Sequence, residues 1–188
     1  GGGRVQRLAV RPYGLSLASA MAASRSFTSM IGSSGPKVSS RTTRMPPPPG
    51  AAAAPPIERQ VALVIGNASY RVGALKNPVN DAQAVAGALR GLGFDVALRE
   101  NTSLREMIEA FRQFSLNARS ARVRVVYYAG HGVQVKGRNY LLPVDTEIRA
   151  EDEVQAKSAD LNELLERLGA LPNGINIVIL DACRNNPF

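Results

Sequence analysis

A chain of 188 residues, 45% hydrophobic and 20% charged, holds one ordinary domain with a sizeable core plus an appended tail, and is too short for two full domains. Its formal charge of +8 points to nucleic acid only until it is mapped along the chain. Residues 1–57 carry seven basic side chains (Arg4, Arg7, Arg11, Arg25, Lys37, Arg41 and Arg44) and no acid, leaving 16 Lys and Arg against 15 Asp and Glu from Glu58 onward.

A basic tail of this kind holds phosphates or anionic lipid without sequence specificity, so no specific nucleic-acid partner is expected. One cysteine makes no internal disulfide, so no oxidising compartment is implied. No run approaches the roughly 20 apolar residues of a transmembrane helix. LAVRPYGLSLASAMAAS is arranged like a signal peptide, but Arg11, Pro12 and Gly14 break its apolar centre. An acid-free, Arg- and Ser-rich start also suits a transit peptide or an upstream region. All three stay open, and with them a cytoplasmic or exported location. From Ser24 to Pro56 the sequence is rich in Ser, Thr, Pro, Gly and Ala, which predicts a disordered linker of polyproline character.

Structure is expected to begin near Glu58. QVALVIGN (60–67) is an apolar run of strand length. Asn77 as cap and Pro78 in the first turn open a helix whose inner face is Val79, Ala82, Ala86 and Leu89, ending at Gly91 or Gly93. FDVALRE (94–100) is a second strand, and Ser103 with Glu106 forms a capping box before a helix with Leu104, Ile108 and Phe111 inward. RVRVVYYAG (122–130) is a third strand, followed by a hairpin turning at Lys136 to Arg138 and an acidic loop from Asp145 to Glu153. Asp160 and Glu163 open the helix LNELLERLGAL, and NIVILDA is a last strand ending at Cys183. Strands alternating with amphipathic helices predict a mostly parallel sheet between two helical layers, a three-layer α/β/α fold with its ligand site at the carboxyl ends of the strands.

The sole histidine, His131, and the sole cysteine, Cys183, each stand just beyond such a strand end. Brought to one edge they form a thiol–imidazole pair, a minimal unit for cysteine nucleophile chemistry. Glycines flank His131 on both sides, which permits a sharp turn and a close approach of substrate to the backbone. Taken singly, a buried cysteine is more often a small hydrophobe and a histidine a satisfied structural residue. The joint placement is what argues for chemistry.

VALVIGNASY, LKNPVNDA, YYAGHG, GRNYLLPVD and ILDACRN, in this order, resemble the catalytic p20 portion of the caspase-like cysteine peptidases (peptidase C14), and most of all the metacaspases and their bacterial relatives. The resemblance covers about residues 59–188, with 1–57 as a separate tail. The spacing from His131 to Cys183 also suits the roughly 50 residues of the caspase signature. The resemblance implies a cysteine endopeptidase in which His131 is base and acid, Cys183 the nucleophile, and the backbone amides of Gly132 and Cys183 the oxyanion hole. Caspases carry a Gln-Ala-Cys context and cleave after Asp, whereas this chain has Asp181-Ala182-Cys183. Metacaspases place acids at the positions of Asp81 and Asp181, which implies a polypeptide substrate with Arg or Lys at P1.

The chain departs from many metacaspases in having Ala129 where they have Ser, and Asn77-Pro78 where they have Gly-Cys. No cofactor is required by this chemistry. Some family members use calcium, for which Asp145, Glu147, Glu151, Asp152 and Glu153 offer hard oxygens, although their spacing matches no EF-hand and a solvated acidic loop is the plainer expectation. Phe188 lies five residues past Cys183, so the fold is expected to be incomplete at its C-terminus, lacking a p10-like segment, with an exposed edge on the last strand and little activity alone. Two other classes compete: an inactive caspase-like interaction module or fragment, and a nucleotide-binding domain, which the absence of Gly-x-Gly-x-x-Gly and Walker patterns disfavours.

Overall fold

The computed structural model describes residues 58–182, together with the short strand Val5–Arg7. In chain order the elements are β1 (Val5–Arg7), β2 (Gln60–Gly66), α1 (Pro78–Gly91), β3 (Asp95–Glu100), α2 (Leu104–Asn117), β4 (Val123–Ala129), β5 (Gly132–Val135), β6 (Arg138–Leu141), α3 (Val154–Lys157), β7 (Ala159–Asp160), α4 (Leu161–Gly169) and β8 (Ile175–Asp181). Among the described residues the main sheet has the order β1-β8-β4-β2-β3, with every pairing parallel. Strands β5, β6 and β7 form a separate antiparallel sheet beside its carboxyl edge.

Both faces of the central strands are apolar because both are covered. On one, Ala82, Val85, Ala86 and Leu89 of α1 pack on Ala62, Val64, Val125, Tyr127 and Ala129. On the other, Met107, Ala110, Phe111 and Phe114 of α2 and Leu161, Leu164 and Leu168 of α4 pack on Val61, Leu63, Ile65, Val126, Tyr128 and Val178. Each large side chain so buried contributes about 1.5–3 kcal/mol. The expected three-layer arrangement is therefore present.

Details differ from the sequence expectations. Ile108 is 55% exposed, because the inner stripe of α2 runs through Met107, Ala110, Phe111 and Phe114. Val85 joins the inner face of α1, and the side chain of Asn77 makes no capping bond there. The capping box is present as expected, with Glu106 N–H donating to Ser103 Oγ at 3.3 Å and Ser103 N–H to Glu106 Oε2 at 2.8 Å. The outer edge of β8, expected to lie open, is paired in parallel with β1, Val5 to Arg7 lying opposite Asn176 to Val178. Backbone donors and acceptors alone suffice for that pairing, so no side-chain pattern announces it. The expected linker from Ser24 to Pro56 lies outside the described residues.

Candidate active site

β4 and β8 are hydrogen-bonded neighbours from Val123 opposite Ile175 to Ala129 opposite Asp181. The ladder is extended by Gly130 N–H donating to Asp181 C=O at 3.3 Å. Two residues past Ala129 comes His131; two residues past Asp181 comes Cys183, which lies outside the described residues. The two strands that precede the expected pair thus run side by side in one register.

His131 is half-buried and held at three points. Its N–H donates to Tyr70 Oη at 2.8 Å. Its carbonyl accepts from Tyr128 Oη at 2.7 Å and from Leu142 N–H at 3.0 Å. Its Nε2 lies 2.6 Å from the carbonyl oxygen of Gly73, and the Tyr70 ring crosses the imidazole at a centroid distance of 4.4 Å and a tilt of 53°. A carbonyl only accepts, so this bond requires the proton on Nε2 and leaves the Nδ1 lone pair of the neutral ring available. Gly130, at φ +153°, is needed before it: a Cβ there would stand 2.5 Å from Tyr70 Oη and 2.7 Å from Tyr128 Oη. Burial pushes both phenols above their ordinary range, so each remains protonated, able to donate and accept.

The loop bearing Tyr70 and Gly73 is tied to the sheet end by two asparagines. Buried Asn67 accepts from Thr102 N–H at 2.9 Å and donates to Leu142 C=O at 3.1 Å. Asn101 Oδ1 accepts from the amides of Ala68 and Ser69, each at 2.9 Å.

On the α1 face the acidic pair comes together. Asp181, exposed, ends β8, half-buried Asp81 lies in the first turn of α1, and the Tyr127 hydroxyl donates to Asp181. Partial burial raises the Asp181 carboxyl above its usual range, the Asp81 charge adds to the rise, and the Tyr127 bond opposes it. Tyr127 itself is pushed well up, by burial first and then by the two carboxylates. The Asp81 charge beside Asp181 makes this a concentrated negative site that a cation would relieve. Asp81 also gains from the positive end of α1.

Gly132 opens β5 opposite Leu141, directly after His131. In the acidic loop, Asp145 caps the Leu104 amide at 3.1 Å, Glu147 bonds Arg149 at 3.2 Å, and Glu153 pairs with Lys157 at 3.0 Å. Among the described residues there is no group of three or more His, Cys, Asp or Glu side chains that could hold a metal ion. No helix among them is long and apolar enough to cross a membrane.

The family model described as the caspase domain of peptidase C14 matches residues 59–188. The human mucosa-associated lymphoid tissue lymphoma translocation protein 1 is 32% identical over 126 residues, covering 66% of this chain and 15% of the relative; its mouse homologue matches equally. The chain thus spans a small part of the length of these relatives. Protein GSU0716 from Geobacter sulfurreducens shares the fold at a TM-score of 0.52 and 19% identity, over 66% of this chain and 50% of that one. A three-layer α/β/α sheet with a histidine at one strand end and a cysteine following the next defines a caspase-like class of protein. The chain belongs to the caspase-domain family of peptidase C14.

Sequence reasoning overlooked Tyr70, Tyr127, Tyr128 and the Gly73 carbonyl. A main-chain acceptor has no residue signature. The paired tyrosines of the third strand, pointing to opposite faces by the period of two, were the available signal.

Proposed function

We propose that this chain is the catalytic portion of a cysteine endopeptidase that cleaves polypeptides after arginine or lysine. The single observation that carries the reading is the β4–β8 register, which sets the chain leading to Cys183 beside the chain leading to His131.

An ordinary thiol is only a few per cent thiolate at neutral pH, so the nucleophile needs a base. His131 Nδ1 accepts the Cys183 proton while Nε2–H stays on the Gly73 carbonyl, which steadies the imidazolium that forms. The sulfur attacks the scissile carbonyl carbon, and the developing oxyanion takes the amides of Gly132 and Cys183. His131 returns the proton to the departing amine; a water molecule, deprotonated by the imidazole, then hydrolyses the thioester and restores the thiol. Asp81 and Asp181 pair with the guanidinium or ammonium of the P1 side chain, and this pairing offsets the repulsion that raises Asp181.

The test is a fluorogenic peptide series differing only at P1. Arg and Lys peptides are turned over, and the Asp and Ala peptides fall below them by at least about a hundredfold, the scale set by losing a charged P1 partner at the two carboxylates. Faster cleavage after Asp would refute the basic preference.

A further inference from the structure

We propose that Tyr70 is a positioning residue that fixes the tautomer and orientation of the His131 imidazole, an inference that rests on the reading of His131 as the general base. The argument begins with the loop that follows β2. Its start is anchored by Asn101, and it closes where Leu75 N–H donates to Ala68 C=O at 2.9 Å. Between these ties Arg71 to Ala74 are exposed, whereas Tyr70 is only 8% exposed and turns back onto the sheet end. Tyr70 is therefore the one side chain of that stretch that seats the loop, and with it the Gly73 carbonyl, against the imidazole.

Its hydroxyl serves two directions at once. It accepts from His131 N–H at 2.8 Å and lies 3.2 Å from Tyr128 Oη and 3.3 Å from Leu142 C=O, either of which takes its proton. Tyr128 in turn donates to the His131 carbonyl, so the two phenols grip the histidine backbone by both its amide and its carbonyl. The Tyr70 ring covers one side of the imidazole, and Gly73, at φ +70°, carries its carbonyl to Nε2; a Cβ at Gly73 would already stand 3.3 Å from that nitrogen. Ring packing and carbonyl acceptance together select one rotamer and one tautomer, with Nδ1 left to take the thiol proton. Nucleophilic catalysis is steeply sensitive to such placement, a shift of about 1 Å costing up to a hundredfold.

Because His131 is the single histidine, its imidazole nitrogen and carbon-bound proton signals are assigned without ambiguity. In the wild-type protein the neutral ring is expected as the Nε2–H tautomer, with a His131 amide slow to exchange. Tyr70→Phe keeps the ring but not the hydroxyl: amide exchange accelerates, both tautomers appear, and kcat falls by about tenfold or more with KM altered less than about twofold. Tyr70→Leu also abolishes the ring-current shift of the imidazole. A folded Tyr70→Phe variant with unchanged tautomer ratio, amide exchange and kcat would overturn the proposal, as would a wild-type Nδ1–H tautomer even if the variant fails to fold. A wild-type protein without peptidase activity contradicts the catalytic reading alone, since the imidazole measurements still decide whether Tyr70 holds the ring.

Discussion

Two residues illustrate what was legible at the residue scale. His131 stood out because a strand-like run ended at Gly-His-Gly, and the structure puts it at the carboxyl end of β4 as expected. What holds it, the Gly73 carbonyl and two phenols, was not legible, because a backbone acceptor and a tyrosine 61 residues away become neighbours only through the loop's path. Asp181 yields a pH prediction. Its carboxyl titrates above the ordinary value near 3.8, so its favourable contribution is full below the unfolded-state value and is lost as pH rises through the higher folded-state value. Asparagine copies the protonated form. Asp181→Asn is therefore expected to match the wild type in urea unfolding near the bottom of the carboxylate range and to exceed it at neutral pH by a few tenths of a kcal/mol, the gain being small because water reaches the strand end. The same variant loses binding of basic P1 peptides. Equal pH dependence in the two proteins would show that Asp181 is not destabilised by its surroundings.

Strands and helices were largely readable at the scale of elements because their periods are strong: Ser103 and Glu106 marked the start of α2, and Pro78 that of α1. Ile108 was misplaced because two adjacent stripes of α2 are apolar and only packing selects between them. Register was invisible, since it depends on polar pairs at the far end of the strands. Arg124, 1% exposed on β4, lies opposite buried Asn176 on β8 and reaches Asn176 Oδ1 at 3.3 Å, Ala118 C=O at 2.8 Å and Pro172 C=O at 3.2 Å. These bonds pin one end of the strand pair whose other end leads to His131 and Cys183. Removing the side chain leaves three acceptors without their donor and opens a cavity, so Arg124→Ala is expected to cost about 2–4 kcal/mol in denaturant unfolding. Arg124→Met, which keeps the bulk, costs less. A loss for Arg124→Ala within experimental error of zero would mean the pairing does not pin the strands.

For the whole molecule, the alternation of strand and helix was enough to foresee a sheet between two helical layers, because each helix has one apolar face and each central strand has two. The partner of β8 was not foreseeable: β1 joins it through backbone groups, from a region whose composition reads as tail. The layers place all the expected groups that the structure describes at one end of the sheet, with His131 above the strand tips and Asp81, Tyr127 and Asp181 on the α1 side. The central claim is that this end of the sheet is a cysteine site that reads a basic side chain. Its most direct measurement is covalent labelling by peptidyl chloromethyl ketones, located by mass spectrometry of the digested protein. The account predicts a single adduct on Cys183 with an Arg reagent, little with the matching Asp reagent, and none with the Arg reagent in a His131→Ala variant. An Asp reagent that labels Cys183 faster than the Arg reagent, or Arg-directed labelling unaffected by loss of His131, would contradict it.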